Sequence, residues 1–305
     1  MTTRAANGFG VDAWARALDE LRRHDSLFWR RAIEAGVKHG PDALVRLSPP
    51  LFGLAFCATL PEKRRVVRES LRLALGRRHP AREVIDVART FATFASCMTD
   101  AFVSASGRGD ELDVRAIGSD RFAELKREGR GVIVVTAHVG GWQSVHAMLK
   151  TRHAMDVVVV MRRERDARAQ AILDDVRDRS GARVVNVGDD PLEALPLMRH
   201  LREGGLVALQ IDRLPQGIRG RKGVLFGRER VLPEGPLRLA SLTGAPIVSV
   251  FSRRLGYMKY ELIVGEPIRV ARRASEVELD HAAAAILGEL ERFVAAHPTQ
   301  WFHFE

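Results

Sequence analysis

Residues 131–143 read Gly-Val-Ile-Val-Val-Thr-Ala-His-Val-Gly-Gly-Trp-Gln. An unbroken β-branched run, Val132 to Thr136, leads to Ala137 and His138. A short run of valine and isoleucine without polar alternation is the pattern of a strand buried on both faces, as in a parallel sheet. Gly140 and Gly141 then allow a tight turn, and helical spacing follows over 142–151. Strand, turn and helix in that order form half of a βαβ unit. Open α/β sheets bind ligands beyond the carboxyl ends of their strands. His138 stands at such an end.

The same alternation extends on both sides of this stretch. Strands are expected at 131–137, 156–161, 183–187, 205–211, 246–251 and 258–264. Helices are expected near 119–128, 142–151, 164–179, 190–203 and 235–243. The predicted fold class is α/β, a mixed but mainly parallel sheet flanked by helices. A last helix opens with a capping box, Ser275 and Glu278, and buries Leu279, Ala282, Ile286, Leu290 and Phe293. Residues 11–106 read as helical throughout, with Val84, Val87, Phe91, Phe94, Ala95, Met98 and Phe102 at helical spacing. Breaks are expected at Gly40-Pro41, Pro49-Pro50, Pro61 and between Gly76 and Pro80, and 104–113 reads as a loop. The chain therefore divides into an N-terminal helical, membrane-proximal region (1–106) and an α/β domain (107–305).

Charge narrows the partners. The net charge of +10 favours anionic ones: nucleic acid, an anionic membrane surface or an acidic carrier protein. Aromatics are only 6%, with no interleaving of aromatic and basic residues, so nucleic acid is disfavoured. Cys57 and Cys97 lie far apart in apolar surroundings, which suggests neither a disulfide framework nor a metal site. The N-terminus lacks signal-peptide order. The most apolar segment, Ala43 to Leu60, contains Arg46 and a Pro-Pro pair, and reads as interfacial or buried, not spanning. Arg64, Arg65 and Arg68 follow it, which suits an anionic lipid surface and equally the solvated flank of a core helix.

A histidine at a strand end suits a general base for a hydroxyl, although such residues are often structural. Gln143, five positions on, falls in the first turn of the next helix, where its amide could fold back onto the imidazole. The glycines Gly140 and Gly141 allow close approach of a substrate, and Trp142 is a packing residue or the wall of a ligand channel. His138, His146 and His153 do not have zinc spacing, so no metal is expected. There is no P-loop or dinucleotide fingerprint, and no cofactor is expected.

The motif AHVGGWQ resembles the H-x-x-x-x-(D/E) signature of glycerolipid acyltransferases. Its His-hydrophobic-Gly-x-Trp form is closer to the lipid A biosynthesis (HtrB-type) acyltransferases. Downstream, LREGGLVALQIDR (201–213), RGRKGVLFGRERVLPEGPLRLASLTGAPIVSVFSRR (219–254) and the closing HPTQWFHFE are similar to that family segment by segment. The resemblance covers about residues 60 to 305. It implies direct transfer of a fatty acyl group from acyl carrier protein or coenzyme A to a hydroxyl of a lipid or glycolipid. His138 would be the base, and the acyl thioester a co-substrate. The implied location is the cytoplasmic face of the inner membrane, with peripheral or interfacial attachment. Arg213, Arg219, Arg221 and Lys222 would bind an anionic acceptor or the donor's phosphopantetheine, since guanidinium forks suit phosphate. Asp212 matches the family's acidic block and would orient one of these arginines. Glu234 opens the next helix and receives no such role.

The departure is Gln143, an HxxxxQ variant. An amide fixes the imidazole tautomer but supplies no charge to stabilise the imidazolium. Three readings stay open: a slow enzyme or one with a more acidic acceptor, another carboxylate such as Asp212 reaching His138, or an impaired relative that only binds lipid.

Overall fold

In the computed structural model, the fold is described for residues 27–108, 112–141, 156–161, 183–186 and 191–304. Among these residues, five helices come first: α1 (Leu27–His39), α2 (Asp42–Leu47), α3 (Pro49–Thr59), α4 (Pro61–Leu75) and α5 (Pro80–Val103). The breaks fall at the prolines and glycines expected, because proline at a helix's first turn lacks an amide that would go unpaired anyway. Helix α3 packs directly on α5. A Cβ at Gly53 would stand 2.4 Å from the Phe91 carbonyl oxygen, so only glycine permits this approach.

A seven-stranded sheet follows, in the order β1-β9-β8-β2-β5-β3-β4. Its strands are β1 (Asp113–Ile117), β2 (Val132–Thr136), β3 (Val157–Met161), β4 (Arg183–Asn186), β5 (Leu206–Gln210), β8 (Ile247–Gly256) and β9 (Lys259–Val264). All pairings are parallel except β8 with β9. The sheet is thus mixed and mainly parallel, as the alternation predicted. Flanking helices are α6 (Ser119–Arg127), α7 (Leu195–Arg202), α8 (Gly235–Thr243) and α9 (Glu276–Ala296). The capping box of Ser275 and Glu278 forms, and all five residues expected on the inner face of α9 are buried. The helices expected at 142–151 and 164–179 lie outside the described residues.

Three elements differ from the sequence expectations. β1 occupies 113–117, and its first residue, Asp113, ends the stretch that reads as a loop. It is an edge strand, mostly exposed, so it shows no apolar pattern. Ser104–Arg108 continues α5 as a wide π-type turn that ends at Gly107 with φ 91°. Finally, β6 (Gly220–Leu225) and β7 (Arg228–Pro233) form a separate antiparallel hairpin. Its two-residue turn, Phe226-Gly227, has positive φ at both positions (51° and 71°). That is the primed turn whose twist matches paired strands. The hairpin lies on α9, where Gly223 leaves room for Leu287.

Among the described residues, the buried hydrophobic ones form three clusters, the third around Leu125, Val157 and Val248. Ile133, Val135, Val207, Ile247 and the inner face of α9 form one cluster. A second cluster joins Val67, Val87, Phe91 and Phe102 of the N-terminal helices to Tyr260, Phe302 and Phe304. The last residues of the chain therefore sit between the helices and the sheet.

Candidate active site

β2 and β5 are parallel neighbours, and their last residues, Thr136 and Gln210, are partners in register. The pairing continues one step as Ile211 N–H donates to the Thr136 carbonyl (2.9 Å). His138 and Asp212 each lie two residues beyond that pair, so they emerge side by side at the carboxyl edge of the sheet. The Asp212 carboxylate takes the His138 backbone N–H on both oxygens (3.1 and 3.2 Å) and stands 2.9 Å from His138 Nδ1. The Trp301 indole N–H donates to the second oxygen at 3.1 Å.

The Asp212 side chain is fully buried, whereas that of His138 is 27% exposed. Burial alone would raise the carboxyl pKa. The charge and hydrogen bond of His138, the charge of Arg213 and the Trp301 N–H outweigh it and hold Asp212 well below the usual carboxylate range. Asp212 is therefore an anion at neutral pH. An anion there requires the proton on Nδ1, which leaves the lone pair on Nε2. In the neutral form of the ring, a free Nε2 with a buried carboxylate behind it is equipped to accept a proton from a hydroxyl.

The closing segment of the chain completes the arrangement. Phe302 N–H donates to the His138 carbonyl (2.8 Å), Gly140 N–H donates to the Gln300 carbonyl (3.1 Å), and Val139 and Trp301 form an antiparallel bridge. Arg213 donates to the Phe302 carbonyl at 2.6 Å. Trp301 was not singled out in the sequence, although its Gln-Trp pair belongs to the closing stretch noted there.

The remaining predicted site residues separate into groups. Gly140 (φ 49°) and Gly141 follow His138, but their open sides face the protein. A Cβ would stand 2.1 Å from the Ser252 carbonyl oxygen in the first case and 2.1 Å from Tyr260 Cε1 in the second. Trp142 and Gln143 lie outside the described residues. The basic cluster splits among carboxylates of the chain itself, and Arg219 and Arg221 share Glu234 (3.8 and 2.6 Å). β-Strand alternation sends Arg221 and Lys222 to opposite faces of β6. Arg221, only 9% exposed, pairs with Glu234 (2.6 Å), Glu276 and Asp280. Lys222 pairs with Glu229 (3.0 Å), and the Arg219 side chain is 86% exposed. Of the four basic residues, Arg213 is the one described in contact with the segment that carries Trp301. Below Asp212 a pocket of about 260 Å³ opens between the hairpin and α9, walled by Ile211, Leu225, Leu232, Leu287 and Leu290. Arg213, Arg230 and His303 line its polar side. Among the described residues, no group of three or more metal-binding side chains occurs.

The model of the bacterial lipid A biosynthesis acyltransferase family matches residues 35–305. The chain belongs to this family. No curated protein matches it. Family membership makes the protein an acyltransferase that acts on lipid A-like acceptors, with an acyl donor and a lipid acceptor as partners. Lipid A biosynthesis acyltransferases are typically membrane-associated. Among the described residues of this one, no helix is long and apolar enough to cross a membrane.

Proposed function

We propose that this protein moves a fatty acyl group from a thioester of acyl carrier protein or coenzyme A to a hydroxyl of a lipid or glycolipid. His138 is the general base and Asp212 the carboxylate that replaces the acid missing at Gln143. His138 Nε2 removes the acceptor proton as the oxygen attacks the thioester carbonyl. Asp212 stabilises the imidazolium that forms. Collapse of the tetrahedral intermediate breaks the C–S bond, and the imidazolium proton goes to the departing thiolate. The acyl group passes directly between substrates, so neither a protein nucleophile nor a cofactor is needed. The observation that carries this reading is the 2.9 Å contact between His138 Nδ1 and a fully buried Asp212.

The pocket below Asp212 suits an apolar chain, since aliphatic side chains form its wall. The proposed attachment is peripheral, at the cytoplasmic face of the inner membrane, through α2 and α3. Leu47 (71% exposed), Leu51 (66%), Leu44, Phe52 and Leu54 project from them to solvent. Exposed apolar residues with basic neighbours and a net charge of +10 favour an anionic bilayer surface.

The test is acyl transfer from both donors to a mixed bacterial lipid extract, read by mass spectrometry, with wild type and His138→Ala. Turnover should fall by about 10²–10⁴-fold in the variant, and the product mass names the acceptor. Equal turnover in folded His138→Ala would refute the reading.

A further inference from the structure

A second buried polar cluster lies behind the turn that follows His138. Asp100, on α5, is 1% exposed. One of its oxygens, Oδ2, accepts from the Tyr260 hydroxyl at 2.6 Å and from Arg254 Nε at 2.8 Å. Tyr260 has no solvent exposure. Its ring lies against Gly141, and the backbone of Ser252 on β8 lies against Gly140, so neither glycine has room for a methyl group. Gln300 completes the enclosure. Its side chain accepts from Arg254 N–H (2.7 Å) and donates to the Arg254 carbonyl (3.0 Å), while its carbonyl accepts from Gly140 N–H.

Two of these contacts have one feature in common. The Tyr260 ring against Gly141 and the Gln300 carbonyl that accepts from Gly140 N–H are both held, directly or through Arg254, by the Asp100 cluster, while Ser252 is held by the pairing of β8 with β9. Gly140 and Gly141 carry no side chains that could lock them, and glycine backbone has the widest range of alternatives. A charged, fully desolvated acceptor for two donors is the strong kind of hydrogen bond, and one whose loss is costly. We propose that Asp100 and Tyr260 are positioning residues for the transfer: by seating the Gly140-Gly141 turn they fix the direction in which His138 presents Nε2. The proposal rests on His138 being the base. Neither residue is hydrogen-bonded to His138 or Asp212; the cluster reaches that pair through the turn and through Gln300, whose neighbour Trp301 donates to Asp212. Misplacement of a catalytic group by about 1 Å can cost on the order of 10²-fold in rate.

Three variants of the full-length protein test this beside His138→Ala. Tyr260→Phe keeps the ring and removes its tether. Gly141→Ala adds a methyl that meets the ring, and Tyr260→Leu in the same chain removes the ring atom it strikes. Thermal unfolding first establishes that each is folded at the assay temperature. Tyr260→Phe should lower kcat roughly tenfold and displace the acid limb of the kcat–pH profile, since that limb reports the coupled His138–Asp212 pair. Loss of folded protein would scale the profile without moving it. Gly141→Ala should be strongly impaired, and adding Tyr260→Leu should restore part of its turnover. The imidazole resonances of His138, followed by NMR without substrate, should shift in Tyr260→Phe while those of distant His79 stay in place. An unmoved His138 signal, an unshifted pH profile and no rescue would overturn the positioning role. If those readouts appear but His138→Ala remains active, the base assignment has failed and the coupling of turn to cluster stands.

Discussion

His138 and Asp212 are 74 positions apart in the chain and meet at 2.9 Å. Arg221 and Lys222 are neighbours in the chain and point to different surroundings, Arg221 with Arg219 to Glu234 and Lys222 to Glu229. Proximity in sequence therefore misleads in both cases, for the same reason. Within a strand, side chains one apart face opposite sides, while parallel strands in register bring the ends of distant segments together. The first pair carries a buried charge that faces a partly exposed base. The second group carries charge that is neutralised where it is buried and solvated where it is not.

The largest effect should come from breaking the first pair. Asp212→Asn keeps the shape but removes the charge, and kcat should fall about 10²–10⁴-fold, the upper figure matching loss of the acid's charge in a serine-protease triad. Steady-state kinetics of the folded variant checks it. A fall of less than threefold or so would show that Asp212 only holds the loop.

The basic group should respond through stability instead. Arg221→Ala leaves Glu234, 7% exposed, with Arg238 as its close remaining partner (2.9 Å). It should cost about 2 kcal/mol in urea unfolding, less than a fully buried pair because Glu276 and Asp280 face solvent. Lys222→Ala at an exposed pair should change stability by less than about 0.5 kcal/mol. A large fall in activity with unchanged stability in Arg221→Ala would instead favour anion binding there.

A smaller, pH-dependent effect belongs to His303, beside the pocket. Burial, and then the positive charge of Arg213, hold its ring below the ordinary histidine value. The unfolded chain then takes up the proton first as pH falls. The stability involved is present above about pH 6.5 and is lost as pH falls through the lower folded value. His303→Asn should therefore flatten the decline in urea midpoint between about pH 7 and pH 5. His297, lowered in the same direction by burial, will keep part of the slope.

The smallest effect should be at Gln143. If Asp212 already supplies the carboxylate, Gln143→Glu should change kcat by less than about threefold. A large gain would show that the Asp212 contact does not substitute for the missing acid.

Most of the fold was legible because its signals are local. The β-branched run at 132–136, the apolar run at 206–209, the capping box at Ser275 and the prolines that open α3, α4 and α5 each act within a few residues. The hairpin was not legible, since Gly220–Leu225 and Arg228–Pro233 are half charged and become strands by packing on α9. The candidate site was legible only in part. His138 could be placed at a strand end, and Asp212 could be named as a carboxylate to answer for Gln143, beside readings in which none does. Sequence alone settled the type of each element that carries a local signal, the capping box of α9 and the buried face of that helix, because backbone sterics and helical or strand periodicity are short-range. Tertiary structure alone decided that Asp212 and Trp301 meet behind His138, and that Tyr260 closes on Gly141. Those contacts depend on strand register and on where the chain's last residues return, and no local pattern encodes either.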